Sequence, residues 1–203
     1  MNARIKYSVL LVGVGVILAF LPFDASESFR LKSDELLAKS ATGDMFLQVD
    51  QVARMINQED STIQLIDVRD AVQYHAGNLP GSINIPLSDL LKPSWEGTLN
   101  QKETKKIFYG NDDQVASTAW TIVTGLGYQN NFVIKGGLNE WYRVVMLSKF
   151  SGGNITPAEN ALFENRLNAR RTFTQLNSLP DSLKGRYFKT KRIKLQKLDG
   201  GCQ

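Results

Sequence analysis

Nucleophiles and metal ligands are scarce in this chain, which has one cysteine and one histidine among 203 residues. Cys202 follows Gly200-Gly201 near the last position, so no internal disulfide is open to it, and it is a free thiol or half of an intermolecular bridge. His75 has no second histidine or cysteine near it in sequence, which argues against a metal site and for an exposed position at a helix end. Asp112 and Asp113 are adjacent carboxylates that could share a cation, although a solvated acidic turn is the better reading. Asp67 and Arg69 could orient a ligand, but a structural role is favoured, in which they pair with each other or cap backbone groups. Gly13-Val14-Gly15 is no nucleotide loop, since no strand precedes it and no third glycine follows. No cofactor and no metal are expected.

The elements that would position these groups centre on residues 63–86. Ile63, Leu65, Ile66 and Val68 predict a buried strand, and a short helical turn carries Tyr74. Gly77, Pro80 and Gly81 make a tight turn, and Ile83 and Ile85 a second strand stopped by Pro86. Strand, helix and strand in so short a span begin an α/β sheet. Asp67 and Arg69 leave its first strand at the carboxyl end, where open α/β sheets place their sites.

The segments LIDVR and AGNLPGSINIP resemble the rhodanese family of sulfurtransferases. In that family an apolar strand downstream ends in a catalytic cysteine, followed by a tight loop and a helix. A glycine with an aromatic, a further strand, and Gly-Gly before a tryptophan come next. Here the strand is Lys106-Ile107-Phe108-Tyr109, the loop Gly110-Asn111-Asp112-Asp113-Gln114-Val115-Ala116, and the helix runs from Ser117 to Leu126. Gly127-Tyr128, a strand over Asn131 to Ile134, and Gly136-Gly137 before Trp141 complete the pattern, so the resemblance spans about residues 43–146. It implies structural roles for Asp67, Arg69, Gly77, Pro80, Gly81, Gly136, Gly137 and Trp141. It also implies that Gly110 holds the position of the catalytic cysteine.

That substitution removes the chemistry the family is known for, because a persulfide-forming thiolate needs a thiol of low pKa in an electropositive pocket. Gly110 has no side chain, and a loop carrying Asp112 and Asp113 without Arg or Lys should repel thiosulfate and phosphate. The same loop departs from the related dual-specificity phosphatases, which need both Cys and Arg.

The rest of the chain divides at residues 23, 42 and 150. Residues 7–23 (YSVLLVGVGVILAFLPF) are an apolar run broken only by Ser8, with Arg4 and Lys6 before it. As a helix it spans roughly 25 Å, just short of a hydrocarbon core of about 30 Å. Without a small-x-small cleavage site it reads as an uncleaved membrane anchor, with a cleaved secretory signal as the competing reading. Basic residues on both sides leave orientation open, and the short leader favours a domain outside the cytoplasm, in a bacterium the periplasm. Residues 24–42 read as a juxtamembrane spacer with Ser33 capping a short helix over Asp34 to Lys39.

The resemblance implies a rhodanese-like domain over residues 43–150. Phe46, Leu47 and Val49 predict a strand, and Asp50 a cap for a helix bearing Val52, Met55 and Ile56. Leu87 to Leu91 make one helical turn, and Pro93 to Thr104, with Trp95, an irregular crossover. Trp120 and Trp141 are expected in the core. Short parallel strands joined by helices imply a sheet covered on both faces.

Residues 151–203 begin with Asn154-Ile155-Thr156, which matches a glycosylation sequon common by chance. Thr156-Pro157-Ala158-Glu159 combines a cap, a first-turn proline and the glutamate of a capping box. Ala158, Leu162, Ala169, Phe173 and Leu176 share a face of the helix it starts, which docks on the domain or another surface before Pro180. From Asn165 onward ten Lys and Arg face two Asp, whereas the whole chain carries a formal charge of +4. This basic tail is read first as a solvated segment. Anionic lipid is its candidate ligand, and nucleic acid only if the domain faces the cytoplasm.

The functional expectation is a membrane-anchored rhodanese-like module without ordinary sulfurtransferase activity, serving binding or assembly with a protein partner that the sequence does not name. The alternative is that Cys202 is a mobile persulfide carrier. The flexible chain from Phe150 to Cys202 would span about 40 Å, enough to reach Gly110.

Overall fold

The computed structural model describes residues 29–149, 156–180 and 182–184. The apolar run at residues 7–23, most of the basic tail and Cys202 lie outside the described residues, and among the described residues no helix is long and apolar enough to cross a membrane.

The elements in order are α1 (Ser33–Ala41), β1 (Phe46–Leu47), α2 (Val49–Asn57), β2 (Ile63–Asp67), α3 (Ala71–Ala76), β3 (Ile83–Asn84) and a 3-10 turn (Leu87–Asp89). Then come α4 (Pro93–Leu99), β4 (Lys105–Tyr109), α5 (Asp113–Gly125), β5 (Asn131–Ile134), α6 (Gly137–Trp141), a π-helical turn (Tyr142–Met146) and α7 (Pro157–Asn177). The strands form one sheet in the order β1-β5-β4-β2-β3, with every pair parallel. This is the α/β fold, a parallel sheet flanked by helices, that the strand and helix signals predict.

Alternation along the strands divides the core. Ile66, Phe108 and Val133 point to one face, where Ala116, Ala119, Trp120 and Val123 of α5 cover them, with Leu36 of α1 packed alongside. Leu65, Ile107, Tyr109 and Ile134 point to the other, where they meet Val52 and Ile56 of α2, Trp141 of α6, and Ala169 and Phe173 of α7. The register Leu65↔Ile107 and Ile66↔Phe108 keeps these sets apart, and a slip of one residue would exchange them.

Four boundaries differ from the sequence reading. Asp50 does not cap α2: the helix starts at Val49, and Gln48 with Gln51 forms the capping box. Asp50 instead reaches across to α7 and accepts from Arg166 Nε and Nη2, both at 2.7 Å. Ser33 is the first residue of α1 rather than its cap, a place taken by Lys32 without a side-chain hydrogen bond. Residues 93–99 are helical, because Pro93 is preset for the first turn, where its missing N–H costs nothing. Finally, α5 starts at Asp113, four residues before Ser117.

The tail helix begins at its predicted cap, with Thr156 and Glu159 in a reciprocal capping box. It docks on the domain through its second half: Ala169, Phe173 and Leu176 are buried, whereas Leu162 is half-buried and Ala158 exposed. Asn57 Nδ2 donates to Asn165 Oδ1 and O, both at 2.8 Å, and Asn177 Nδ2 to Asn78 O at 3.0 Å. Arg170 donates to the backbone oxygens of Val145 (3.2 Å) and Ser148 (2.6 Å).

Candidate functional site

At the carboxyl edge of the sheet β4 ends on Tyr109, and Gly110-Asn111-Asp112 turn the chain into α5. The predicted seven-residue loop is therefore three residues long. Asp113, Gln114, Val115 and Ala116 form the first turn of α5, because Asp112 is its N-cap and accepts from Gln114 N at 3.0 Å. An acidic pair at a helix amino end also suits the helix dipole.

The loop rests on Gly136-Gly137. Leu138 N donates to Gly110 O (3.0 Å) and Asn139 N to Asn111 O (2.9 Å). Gly137 has φ +56°, and a Cβ there would lie 2.6 Å from Asp112 O, so only glycine fits. Asp113 Oδ2 accepts from Gly136 N at 3.3 Å, which ties the second acidic residue into the same junction. Asp112 and Asp113 thus each hold a backbone amide. Among the described residues no group of three His, Cys, Asp or Glu is placed to hold a metal ion.

Gly110 itself is outside the left-handed region. A Cβ there would meet Asp112 O at 3.3 Å, Val115 Cβ at 3.8 Å and Val68 Cγ2 at 3.9 Å. The position is crowded but not closed to a side chain.

Asp67 and Arg69 meet beside this loop. Asp67 is fully buried, and its carboxylate accepts from Arg69 Nε (2.9 and 3.2 Å), Nη2 (2.6 Å) and backbone N (3.0 Å). Arg69 Nη2 also donates to Gly77 O at 2.7 Å, and Nη1 reaches Asn111 Oδ1 at 3.3 Å, linking β2 to the loop. Burial opposes the Arg69 charge, but the Asp67 carboxylate outweighs it and the guanidinium pKa is raised. The pair is fixed further by Asn84 Nδ2, which donates to Asp67 O (3.0 Å) and Arg69 O (2.8 Å).

Tyr109, a residue the sequence reading assigned only to a strand, joins this group. Its hydroxyl accepts from Leu79 N (3.0 Å) and donates to Ser82 Oγ (2.9 Å), and burial and then the Asp67 carboxylate push its pKa well up. A tyrosine at the last position of an apolar strand, where Phe would pack as well, was the available signal. Of the remaining predicted structural residues, Gly81 (φ +78°) and Pro80 shape the turn before β3, and Trp141 is buried against Phe173 with ring centroids 6.3 Å apart. His75 is exposed near the end of α3, its ring edge-on to Tyr74.

Lys106 was also missed. It lies on β4, fully buried, with Nζ donating to Gln101 O at 2.6 Å, and burial lowers its pKa to about 8. Nothing distinguishes it in sequence from a lysine opening a strand at the surface.

A parallel sheet with a glycine-floored loop at the carboxyl end of its central strand defines the class, an α/β domain whose site is that loop. Residues 48–144 match the Rhodanese-like domain family, and this part of the chain is a rhodanese-like domain. Among curated proteins, the chain is 36% identical over 85 residues to adenylyltransferase and sulfurtransferase uba4 of Ogataea parapolymorpha, covering 40% of this chain and 20% of that one. It is 31% identical over 103 residues to the human centrosomal protein of 41 kDa, covering 48% and 26%. The chain therefore spans about a fifth to a quarter of the length of these relatives. Among solved structures, BH2092 protein from Bacillus halodurans aligns with a TM-score of 0.46 at 22% identity, covering 55% of this chain and 82% of that one. The rhodanese-like domain of Alr3790 protein from Anabaena gives 0.45 at 21%, covering 56% and 89%.

Proposed function

We propose that the chain is a membrane-anchored rhodanese-like module that works by binding or assembly and does not turn over thiosulfate. The observation that carries this reading is Gly110 at the end of β4, where the family resemblance puts the sulfur-bearing cysteine. Asp112 and Asp113 add negative charge beside the position, and Arg69, which reaches the loop through Asn111, is already held by Asp67. The apolar run at residues 7–23 supports the anchor. The basic tail would add contact with anionic lipid, and its deletion should then weaken binding to anionic vesicles. The central test is thiosulfate:cyanide sulfurtransferase activity, measured on the wild type and on Cys202→Ser. No turnover in either is expected, and turnover that survives Cys202→Ser overturns the reading.

A second reading is favoured by the relative whose name includes sulfurtransferase. In it, the Cys202 thiolate attacks the outer sulfur of thiosulfate, the S–S bond breaks with release of sulfite, and Cys202 is left as a persulfide. Intact mass after exposure to thiosulfate tests it. One added sulfur on the wild type and none on Cys202→Ser supports the carrier, and no gain on either removes it.

A further inference from the structure

The carboxyl-terminal tail leaves the fold beside the Gly110 loop. Asn177, the last residue of α7, is bonded to Asn78 in both directions: its Oδ1 accepts from Asn78 N (3.1 Å) and its Nδ2 donates to Asn78 O (3.0 Å). The neighbouring Gly77 O accepts from Arg69 Nη2 (2.7 Å), and Arg69 Nη1 reaches Asn111 Oδ1 (3.3 Å). A short run of hydrogen bonds therefore joins the root of the tail to the loop.

The edge at which it emerges carries uncovered apolar side chains. β2 and β4 pair with Asp67 against Tyr109, and three residues beyond each partner stands a helix cap, Asp70 for α3 and Asp112 for α5, so the two helices start side by side. Each has an exposed valine in its first turn: Val72 is 80% exposed and Val115 40%, and Val115 Cβ lies 3.8 Å from where a Cβ on Gly110 would stand. Isolated exposed valines are ordinary; here they are framed by charge. Asp70, Asp112 and Asp113 each accept from a backbone amide, and none is in a salt bridge among the described residues. Arg69 is held by Asp67 and Arg143 by Glu140, and Lys135 acts on that same glutamate.

The tail has the complementary composition. Residues 185–203 hold six Lys and Arg against one Asp, interleaved with Tyr187, Phe188, Ile193 and Leu195. A segment that only stays solvated has no use for so many aromatic and branched side chains. At random-coil dimensions the stretch to Lys197 spans about 20 Å. Attachment beside the edge gives it an effective concentration on the order of millimolar there, so individually weak contacts suffice.

We propose that residues 186–197 dock across the carboxyl edge of the sheet, with the tail's apolar side chains on Val72 and Val115 and its lysines and arginines on Asp70, Asp112 and Asp113, covering the Gly110 loop until a partner displaces them. The test uses the chain's one cysteine. A nitroxide on Cys202 of the full-length chain, held in neutral phosphatidylcholine nanodiscs, should broaden the methyl NMR signals of Val72 and Val115 at least about threefold more than that of Leu37, which is exposed on α1 near the opposite end of α5. This excess should vanish in the triple variant Asp70→Asn, Asp112→Asn and Asp113→Asn, where asparagine keeps each acceptor oxygen and removes its charge. It should vanish also in Lys191→Glu with Arg192→Glu, which leaves the described fold untouched. Either of two results overturns the proposal: no excess at the two valines in the wild type, or an excess that survives either variant. Neutral lipid keeps the outcome apart from binding of the tail to anionic vesicles, so failure here leaves that reading standing.

Discussion

A methyl group on Gly137 would stand 2.7 Å from the carbonyl oxygen of Gly110. These two residues belong to different elements, and their contact fixes the depth of the loop at the end of β4. Gly137→Ala combines left-handed strain with a clash against backbone that cannot turn aside. A loss of about 2–4 kcal/mol is expected, read as a lower urea midpoint with an unchanged slope.

Gly110 differs in kind, since its backbone is unstrained and a Cβ meets its nearest neighbour at 3.3 Å. Gly110→Cys should fold with a loss of about 1–3 kcal/mol. In a Cys202→Ser background the new thiol should react slowly with thiosulfate, because Asp112 and Asp113 repel the dianion, and the rate should rise with added salt as that repulsion is screened. A rate that falls with salt would show an attractive field instead.

The Asp67–Arg69 pair is buried, so breaking it differs from replacing it. Arg69→Met leaves a fully buried carboxylate without its guanidinium and should cost about 3–5 kcal/mol. Replacing both residues, as Asp67→Leu with Arg69→Met, should recover a large part of that loss. Chemical denaturation of the two single variants and the double variant measures the coupling.

Lys106 gives stability a distinctive pH dependence. Burial lowers its pKa from 10.5 to about 8, so between these values the unfolded chain holds a proton that the fold does not. Stability should therefore rise with pH from about 8, by up to about 1.4 kcal/mol per pH unit. Tyr109 acts in the opposite sense, because its raised pKa makes the fold hold a proton that the unfolded chain releases above its ordinary 10.0. The rise should end there. In Lys106→Met the rise should be absent, as urea midpoints across pH 7 to 10 would show.

Phe173 packs from α7 onto Trp141 and Tyr142. Phe173→Ala should cost about 3–5 kcal/mol, and amide exchange should quicken in α2 as well as in α7, because both helices cover the same cluster. Quickening confined to α7 would mean that the helix is an appendage.

The parts of the fold read correctly from sequence are those specified locally. The strand over Asn131–Ile134 was placed at both ends, and β2, the Gly81 turn and β3 follow from an apolar run and its Gly and Pro punctuation. The start of α5 differs because Asp112-Asp113 reads as a solvated acidic turn inside the loop, whereas Asp112 is the helix cap. Asp50 reads locally as a cap because its partner, Arg166, lies 116 residues away. At the site, the position of Gly110 is legible from the end of β4. The Gly137 floor and the Arg69–Asn111 link are not, since both depend on tertiary contact. The burial of Lys106 has no local signal at all.

The pairing of β1 with β5, Phe46 against Val133, and the bonding of Asn57 to Asn165 together set an order of events in time. Contacts this distant in sequence form only after the intervening chain has been made and its closure entropy met. A chain growing from its amino end carries the apolar stripe of α2, Val52, Ala53 and Ile56, only partly covered until Phe173 has been added. Its early segments wait on late ones to close the core.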